Sequence, residues 1–246
     1  MQSFIIAMIL LIAFGTIIQM IHHKNLTYFL NNAKKAKLQA TREIGTGERV
    51  SILAKTAVVD IGTTAELGFG KRRLSHVLGM YGTIIFWISS AMLVFCYTGA
   101  DKSSSTIWSM LWHVGAILTC IGGYWFWLFL RVDVSAEAHP WYRIIKADLF
   151  VLALLACSTF GLAWSYAQFN GQVGLSFLFL TLFVTANLVL FGGVYWSKFA
   201  HMFYKPGAAI QKNLAEADGS RDNLPPPADA PEQFGLGIKR EEPKHY

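Results

Sequence analysis

The sequence predicts an all-α integral membrane protein, a bundle of five transmembrane helices. Of its 246 residues, 54% are hydrophobic and only 15% are charged, whereas soluble globular chains carry about 25% charged residues. No Asp, Glu, Lys or Arg occurs in the four stretches 1–23, 74–100, 103–130 and 149–197. Because so few charges, so unevenly placed, cannot cover the surface of a water-soluble fold, the chain is predicted to lie in a membrane.

The number of spans follows from the lengths of these stretches, because about 20 apolar residues in a helix cross a hydrocarbon core about 30 Å thick. The stretch 149–197 is too long for one span, and the polar, glycine-containing segment 168–174 is predicted to divide it by a turn. Pro206 is predicted to end the last helix. The predicted spans are 4–21, 75–98, 107–130, 149–166 and 175–204.

The basic residues predict the orientation of the bundle. Of 21 Lys and Arg residues, all but Lys102 fall on one side if the N-terminus lies outside and the C-terminus lies in the cytoplasm. The net charge of +6 is therefore read as a signal of membrane topology, and no nucleic-acid partner is predicted.

Two regions are predicted to lie outside the bilayer. The segment 22–73 is basic and loosely amphipathic, which is typical of a helix in the lipid headgroup layer; a docking element for a partner is the alternative. The first domain, 1–205, ends where a Pro-rich cytoplasmic tail, 206–246, begins. The tail is predicted to be extended or disordered, or to be a strap that folds on a cytoplasmic partner.

Two histidines are candidate ligands of a haem b iron, because two facing helices commonly supply one neutral imidazole each. His76 begins the second span and His201 ends the fifth, so both lie at the same predicted depth. Arg72, Arg73 and Lys198 lie beside them and could neutralise haem propionates. The alternative is that both are ordinary interfacial histidines.

His113 is a separate candidate, because it lies within the third span, where ionisable residues commonly mark a function. The sequence shows no second histidine at that depth. His113 is therefore predicted to be either a hydrogen-bonded core residue or a contact for a bound quinone.

Particular segments resemble a known family. KRRLSHVLGMYG (71–82), WSKFAHMF (196–203) and Asp148 at the start of a Leu-rich helix resemble the nitrate reductase gamma subunit and the membrane subunits of heterodisulfide-reductase-like complexes. Residues 201–227 look closest to the membrane anchors that accompany adenylylsulfate reductase in sulfur oxidisers. The resemblance covers about residues 1–205 and implies a multi-pass protein of the cytoplasmic membrane of a prokaryote, an adenylylsulfate reductase partner and exchange with quinone.

The resemblance also implies a departure from the family. Members typically carry two haems, each held by the second and fifth helices, and the outer pair of histidines would fall at Phe86 and Phe183. Phenylalanine cannot bind iron, so the outer haem is predicted to be absent, which leaves zero or one haem b, at the inner side.

Three functions remain open from the sequence. The chain is an electron-transfer subunit that links a cytoplasmic oxidoreductase of sulfur metabolism to quinone, or a cofactor-free anchor for such a partner. In either case the sulfur chemistry belongs to another chain. A small transporter is disfavoured, because no charged residue lies in mid-span and every proline lies at 140 or beyond 205.

Overall fold

The computed structural model describes residues 1–22, 24–67, 70–97, 106–195 and 201–221, and the regular structure in these ranges is helical. The chain forms two compact units. The first, here called the bundle, comprises Met1–His22 and Lys71–His201; the second, here called the basic unit, comprises His23–Gly70 and Met202–Tyr246.

The bundle contains the predicted spans. Within the described residues, five helical segments are long and apolar enough to cross a membrane, which confirms the predicted number. The helices of the bundle are α1 (Gln2–His22), α4 (Lys71–Cys96), α5 (Thr106–Trp125, continued by a π turn over Phe126–Leu130), the short α6 (Val132–Ser135), α7 (Leu149–Phe169) and α8 (Val173–Gly192).

Helices α4 and α5 pack against each other through small residues at positions one or two turns apart. A Cβ atom added at Gly122 would lie 2.5 Å from the backbone nitrogen of Gly79, and one at Gly115 would lie 2.5 Å from that of Phe86. The hydroxyl of Ser75 donates a hydrogen bond of 2.8 Å to the carbonyl of Gly122. Such close approach of backbones is how helices associate in lipid, where apolar burial gives little driving force.

The turn predicted at 168–174 is confirmed. Helix α7 ends at Phe169 and α8 begins at Val173. Gly171 between them has φ +66°, a left-handed conformation that glycine adopts at no steric cost.

The end of the fifth span differs from the prediction of 175–204. Helix α8 ends at Gly192 and continues as one 3₁₀ turn, Gly193–Tyr195. A separate helix, α9 (His201–Asp218), then passes through Pro206 instead of ending before it. Proline gives up one helical hydrogen bond and strains the preceding turn at a cost of about 3 kcal/mol. Further along α9, Ala209 and Ala215 are buried and Asn213 is hydrogen-bonded to Thr56 and Asp60, contacts that favour the continued helix. The domain boundary predicted at 205/206 therefore falls inside a helix.

The basic unit joins two parts of the chain that are far apart in sequence. Helices α2 (Asn25–Gln39) and α3 (Thr46–Lys55, continued by a π turn to Gly62) associate with α9. The side-chain amide of Asn213 donates hydrogen bonds of 2.7 Å to both Thr56 Oγ1 and Asp60 Oδ2. The segment predicted to lie in the headgroup layer is thus part of a folded unit, and so is the start of the predicted tail. The rest of the tail, 222–246, lies outside the described residues.

The C-terminal end of α9 is capped by residues from the other part of the chain. The backbone nitrogens of Thr41 and Arg42 donate to the carbonyl of Asp218, and Arg42 Nε donates to the carbonyl of Ala217. These bonds satisfy carbonyls that a helix end leaves without partners. The guanidinium of Arg42 also binds both carboxylate oxygens of Glu48. Chiefly through these hydrogen bonds, Arg42 lowers the pKa of Glu48, and Glu48 raises the pKa of Arg42.

Candidate functional site

Of the two predicted ligands of the inner haem, the structure describes the side chain of His76 but not that of His201. His76 lies near the start of α4 with its side chain exposed, next to the fully buried Ser75. Arg72 Nη2 donates a hydrogen bond of 3.0 Å to Ser135 Oγ, which ties the start of α4 to α6. His201 begins α9, but its side chain and Lys198 lie outside the described residues. The described residues thus include His76, Arg72 and Arg73 at the start of α4, but not the side chain of the second predicted ligand, His201.

The predicted outer haem positions are filled by aromatic rings. The centroids of Phe86 and Phe183 lie 6.4 Å apart in an edge-to-face arrangement, and Phe86 is only 2% exposed. Two phenylalanine rings in direct contact neither bind iron nor leave space for a macrocycle between them. The residues present therefore do not fit an outer haem.

These two rings belong to a larger cluster, here called the aromatic layer: Phe86, Trp112, Trp164 and Phe183. Trp112 lies 5.0 Å from Phe86, and Trp164 stacks on Phe183 at 6.1 Å, measured between ring centroids. Trp112 Nε1 donates a hydrogen bond of 3.0 Å to Ser90 Oγ, which satisfies its polar group. Edge-to-face and offset ring pairs add about 0.5–1.5 kcal/mol each beyond their burial. The layer joins α4, α5, α7 and α8 within the bundle.

His113 is hydrogen-bonded at both ring nitrogens. Nδ1 lies 2.7 Å from the carbonyl oxygen of Ser109, which can only accept, so Nδ1 carries the proton. Nε2 lies 2.8 Å from Ser165 Oγ, a hydroxyl that can donate or accept. Of the two roles predicted for His113, this geometry matches the hydrogen-bonded core residue, since both ring nitrogens have partners within the chain.

A buried ion pair between the end of α5 and the start of α7 is the main feature that could not be recognised from the sequence. Arg131 follows the π turn of α5 with its side chain 4% exposed, and its Nη1 lies 2.8 Å from Asp148 Oδ2. Nη2 donates to the carbonyls of Trp141 and Arg143, and the guanidinium carbon lies 3.9 Å from the ring centroid of Trp127.

We call this group the Arg131 site. Asp148 Oδ2 also accepts a hydrogen bond of 3.0 Å from the backbone nitrogen of Ile145. The signal in the sequence was a lone arginine directly after an apolar span and a lone aspartate directly before the next. That pattern does not separate an ion pair from two solvated residues, because the pairing depends on the fold of the loop between them.

The described residues contain no group of three or more His, Cys, Asp or Glu side chains placed to hold a metal ion. Comparison of the chain with protein-family models, with curated proteins and with solved structures gave no match.

Proposed function

We propose that this chain is the membrane anchor of a cytoplasmic oxidoreductase and holds that enzyme beside the quinone pool of the cytoplasmic membrane of a prokaryote. The partner we propose, from the sequence resemblance, is an adenylylsulfate reductase of oxidative sulfur metabolism. In this role the chain binds and positions its partner, while the sulfur chemistry takes place in the partner.

The observation that carries the proposal is the folded basic unit. Residues from two parts of the chain, on either side of the second to fifth spans, are joined by Arg42, Asn213 and their partners. A segment that served only to connect spans would not need such cross-links. The unit exposes Lys34, Lys35 and Lys37 on α2, and such a cluster favours an acidic protein surface.

The aromatic layer supports a one-sided path for electrons. It occupies the positions where the resemblance would place an outer haem, with Phe86 and Phe183 in contact. Electrons from the partner would therefore reach quinone at the end of the bundle where α4 begins with Lys71, Arg72 and Arg73, here called the basic end, without a relay across the bilayer.

A second candidate is the same anchor with one haem b at the basic end. The observation that favours it is the position of His76 beside two cations, Arg72 and Arg73, at the start of α4. With His201 as the second ligand, such a haem would supply one-electron transfer between the partner and quinone.

Partner binding is tested by co-purification of the tagged chain from detergent-solubilised membranes, followed by mass spectrometry. Lys34→Glu/Lys37→Glu is expected to lower recovery of the oxidoreductase at least about tenfold, since like charges across an interface are repulsive. Lys55→Glu/Lys212→Glu, which changes the net charge equally within the same unit, is the matched control. If the tagged chain is recovered without any oxidoreductase subunit from cells that make such an enzyme, the result contradicts the proposed role as an anchor.

The haem is tested separately by the absorption spectrum of the purified complex from haem-replete cells. A low-spin b-type spectrum that His76→Ala abolishes and His139→Ala leaves unchanged would support the one-haem form. A colourless, folded complex that still contains the partner would select the cofactor-free anchor.

A further inference from the structure

The connection between the third and fourth spans exposes a run of aromatic and aliphatic side chains, residues 141–145, here called the aromatic loop. Trp141 is 55% exposed, Tyr142 67% and Ile144 64%. An exposed cluster of large apolar residues is costly in water and commonly marks a site of interaction.

The backbone of the aromatic loop is held by the buried side chain of Arg131. The side chain of Arg131 is only 4% exposed, and it donates hydrogen bonds to the carbonyls of Trp141 and Arg143. Because these bonds are shielded from water, water does not readily replace them. A hydrogen bond of 3.0 Å from the backbone nitrogen of Arg143 to the carbonyl of Pro140 closes a turn at the start of the loop. The buried arginine thus fixes the backbone so that the side chains of Trp141, Tyr142 and Ile144 point away from the bundle.

The position of the loop along the chain indicates what covers it. The third candidate span ends at Ser135 and the fourth begins at Lys146. The loop therefore directly precedes the fourth candidate span and is separated from the third by residues 136–140, so a membrane that contains both spans has its boundary close to the loop. Trp and Tyr are enriched at this boundary, where a ring can face the acyl chains and its polar atom the headgroups.

The charges on the loop favour one class of lipid. Arg143 and Lys146 are both exposed, whereas the neighbouring Arg131 and Asp148 neutralise each other inside the bundle. Cationic side chains beside a membrane surface gain about 1 kcal/mol each from anionic lipids. We propose that the aromatic loop inserts into the headgroup layer of the bilayer that contains the bundle, and that Arg143 and Lys146 bind anionic phospholipid there. This inference does not depend on the proposed function.

The insertion is tested by spin labelling in a background in which Cys96, Cys120 and Cys157 are replaced by alanine. Labels at Tyr142→Cys, Glu137→Cys and Phe129→Cys are compared in vesicles for collisions with oxygen and with a water-soluble nickel complex. Glu137, exposed in the same connection, is the aqueous control; Phe129, 65% exposed within the third span, is the lipid control.

The label at Tyr142→Cys is expected to lie about 5–10 Å below the lipid phosphates, the depth typical of interfacial apolar side chains. Access to the nickel complex equal to that of Glu137→Cys would overturn the proposal. Protection that appears only when the cytoplasmic partner is added would also overturn it, and would assign the loop to a protein interface.

Two further measurements use the native loop. Fluorescence quenching by lipids brominated near the headgroup is expected to fall on Trp141→Phe, because the loss removes a tryptophan at that depth. The quenching of the wild type is expected to be stronger in anionic than in zwitterionic vesicles, and Arg143→Gln/Lys146→Gln is expected to remove that difference, while Arg49→Gln/Lys55→Gln keeps it. No change in quenching on Trp141→Phe, or a lipid-charge dependence that survives the loop double variant, contradicts the assignment.

Discussion

The bundle and the basic unit are held together by different means. In the bundle, Gly115 and Gly122 bring the backbones of two helices together, and the aromatic layer fills the space between four helices. In the basic unit, side chains of Arg42 and Asn213 cross-link helices through hydrogen bonds.

The difference follows from the surroundings predicted for each unit. Lipid is as apolar as a leucine side chain, so helices in a membrane associate through steric fit. A unit outside the hydrocarbon core can use charge and hydrogen bonds, but salt and pH modulate them. The bundle is therefore expected to respond to changes of shape and the basic unit to changes of charge.

The Arg131 site is the sharpest test of this comparison, because it places an ion pair inside the bundle. Asp148→Ala is expected to destabilise the bundle by about 3–5 kcal/mol, since it leaves a buried guanidinium without its counter-ion. The measurement is unfolding of the purified chain in mixed micelles with increasing SDS. Asp133→Ala, a carboxylate in the same connection without a side-chain bond among the described contacts, is the control. Equal, small effects of the two variants would show that Asp148 is solvated.

The seam between α4 and α5 is expected to respond to a single methyl group. Gly122→Ala places a Cβ 2.5 Å from the backbone nitrogen of Gly79, so the helices must separate, at a cost of about 1–3 kcal/mol. Gly79→Ala is the matched control, because nothing lies within 4 Å of its added Cβ. Its effect is expected to be neutral or slightly stabilising, as alanine favours helix. The same SDS titration measures both, and a reversed order of the two would contradict the close packing.

The smallest effect is expected in the basic unit and depends on pH. The pKa of Glu48 is lowered from its usual 4.5 by Arg42, so its stabilising contribution is complete above pH 4.5 and is lost as the pH falls through the lower, folded-state pKa. The protection factors of amides near residues 41–48, which are the exchange rates corrected for the intrinsic effect of pH on exchange, are expected to fall on acidification in the wild type, and Glu48→Gln is expected to remove that step. High salt should weaken the same contact, since both side chains are exposed. Protection factors that are unchanged by pH in the wild type would show that the pair does not hold the segment.

The sequence predicted what is encoded locally. Charge-free length identified the five spans, and the polar segment with Gly171 identified the turn between α7 and α8, because each signal lies within one continuous stretch of the chain. The prediction at Pro206 was wrong because a proline weakens a helix locally, whereas the hydrogen bonds of Asn213 in α9 are made to Thr56 and Asp60, more than 150 residues earlier in the chain.

The candidate site was predicted only in part. The pairing of residues 86 and 183 came from the family resemblance, and their rings are in contact in the structure. The Arg131 site could not be predicted, because residues 131, 141, 143 and 148 meet only through the fold of one loop. The role of His76 and His201 in binding haem stays a prediction.

Under the proposed function, the contact between Phe86 and Phe183 has a consequence for bioenergetics. Moving one charge across a membrane potential of 100 mV involves about 2.3 kcal/mol, and a relay of redox groups through the bilayer would subject every electron to that field. With hydrocarbon rings in place of the outer relay, the proposed transfer from partner to quinone would neither draw on the membrane potential nor add to it. The rate of sulfur oxidation served by such an anchor would then be indifferent to how strongly the cell membrane is energised.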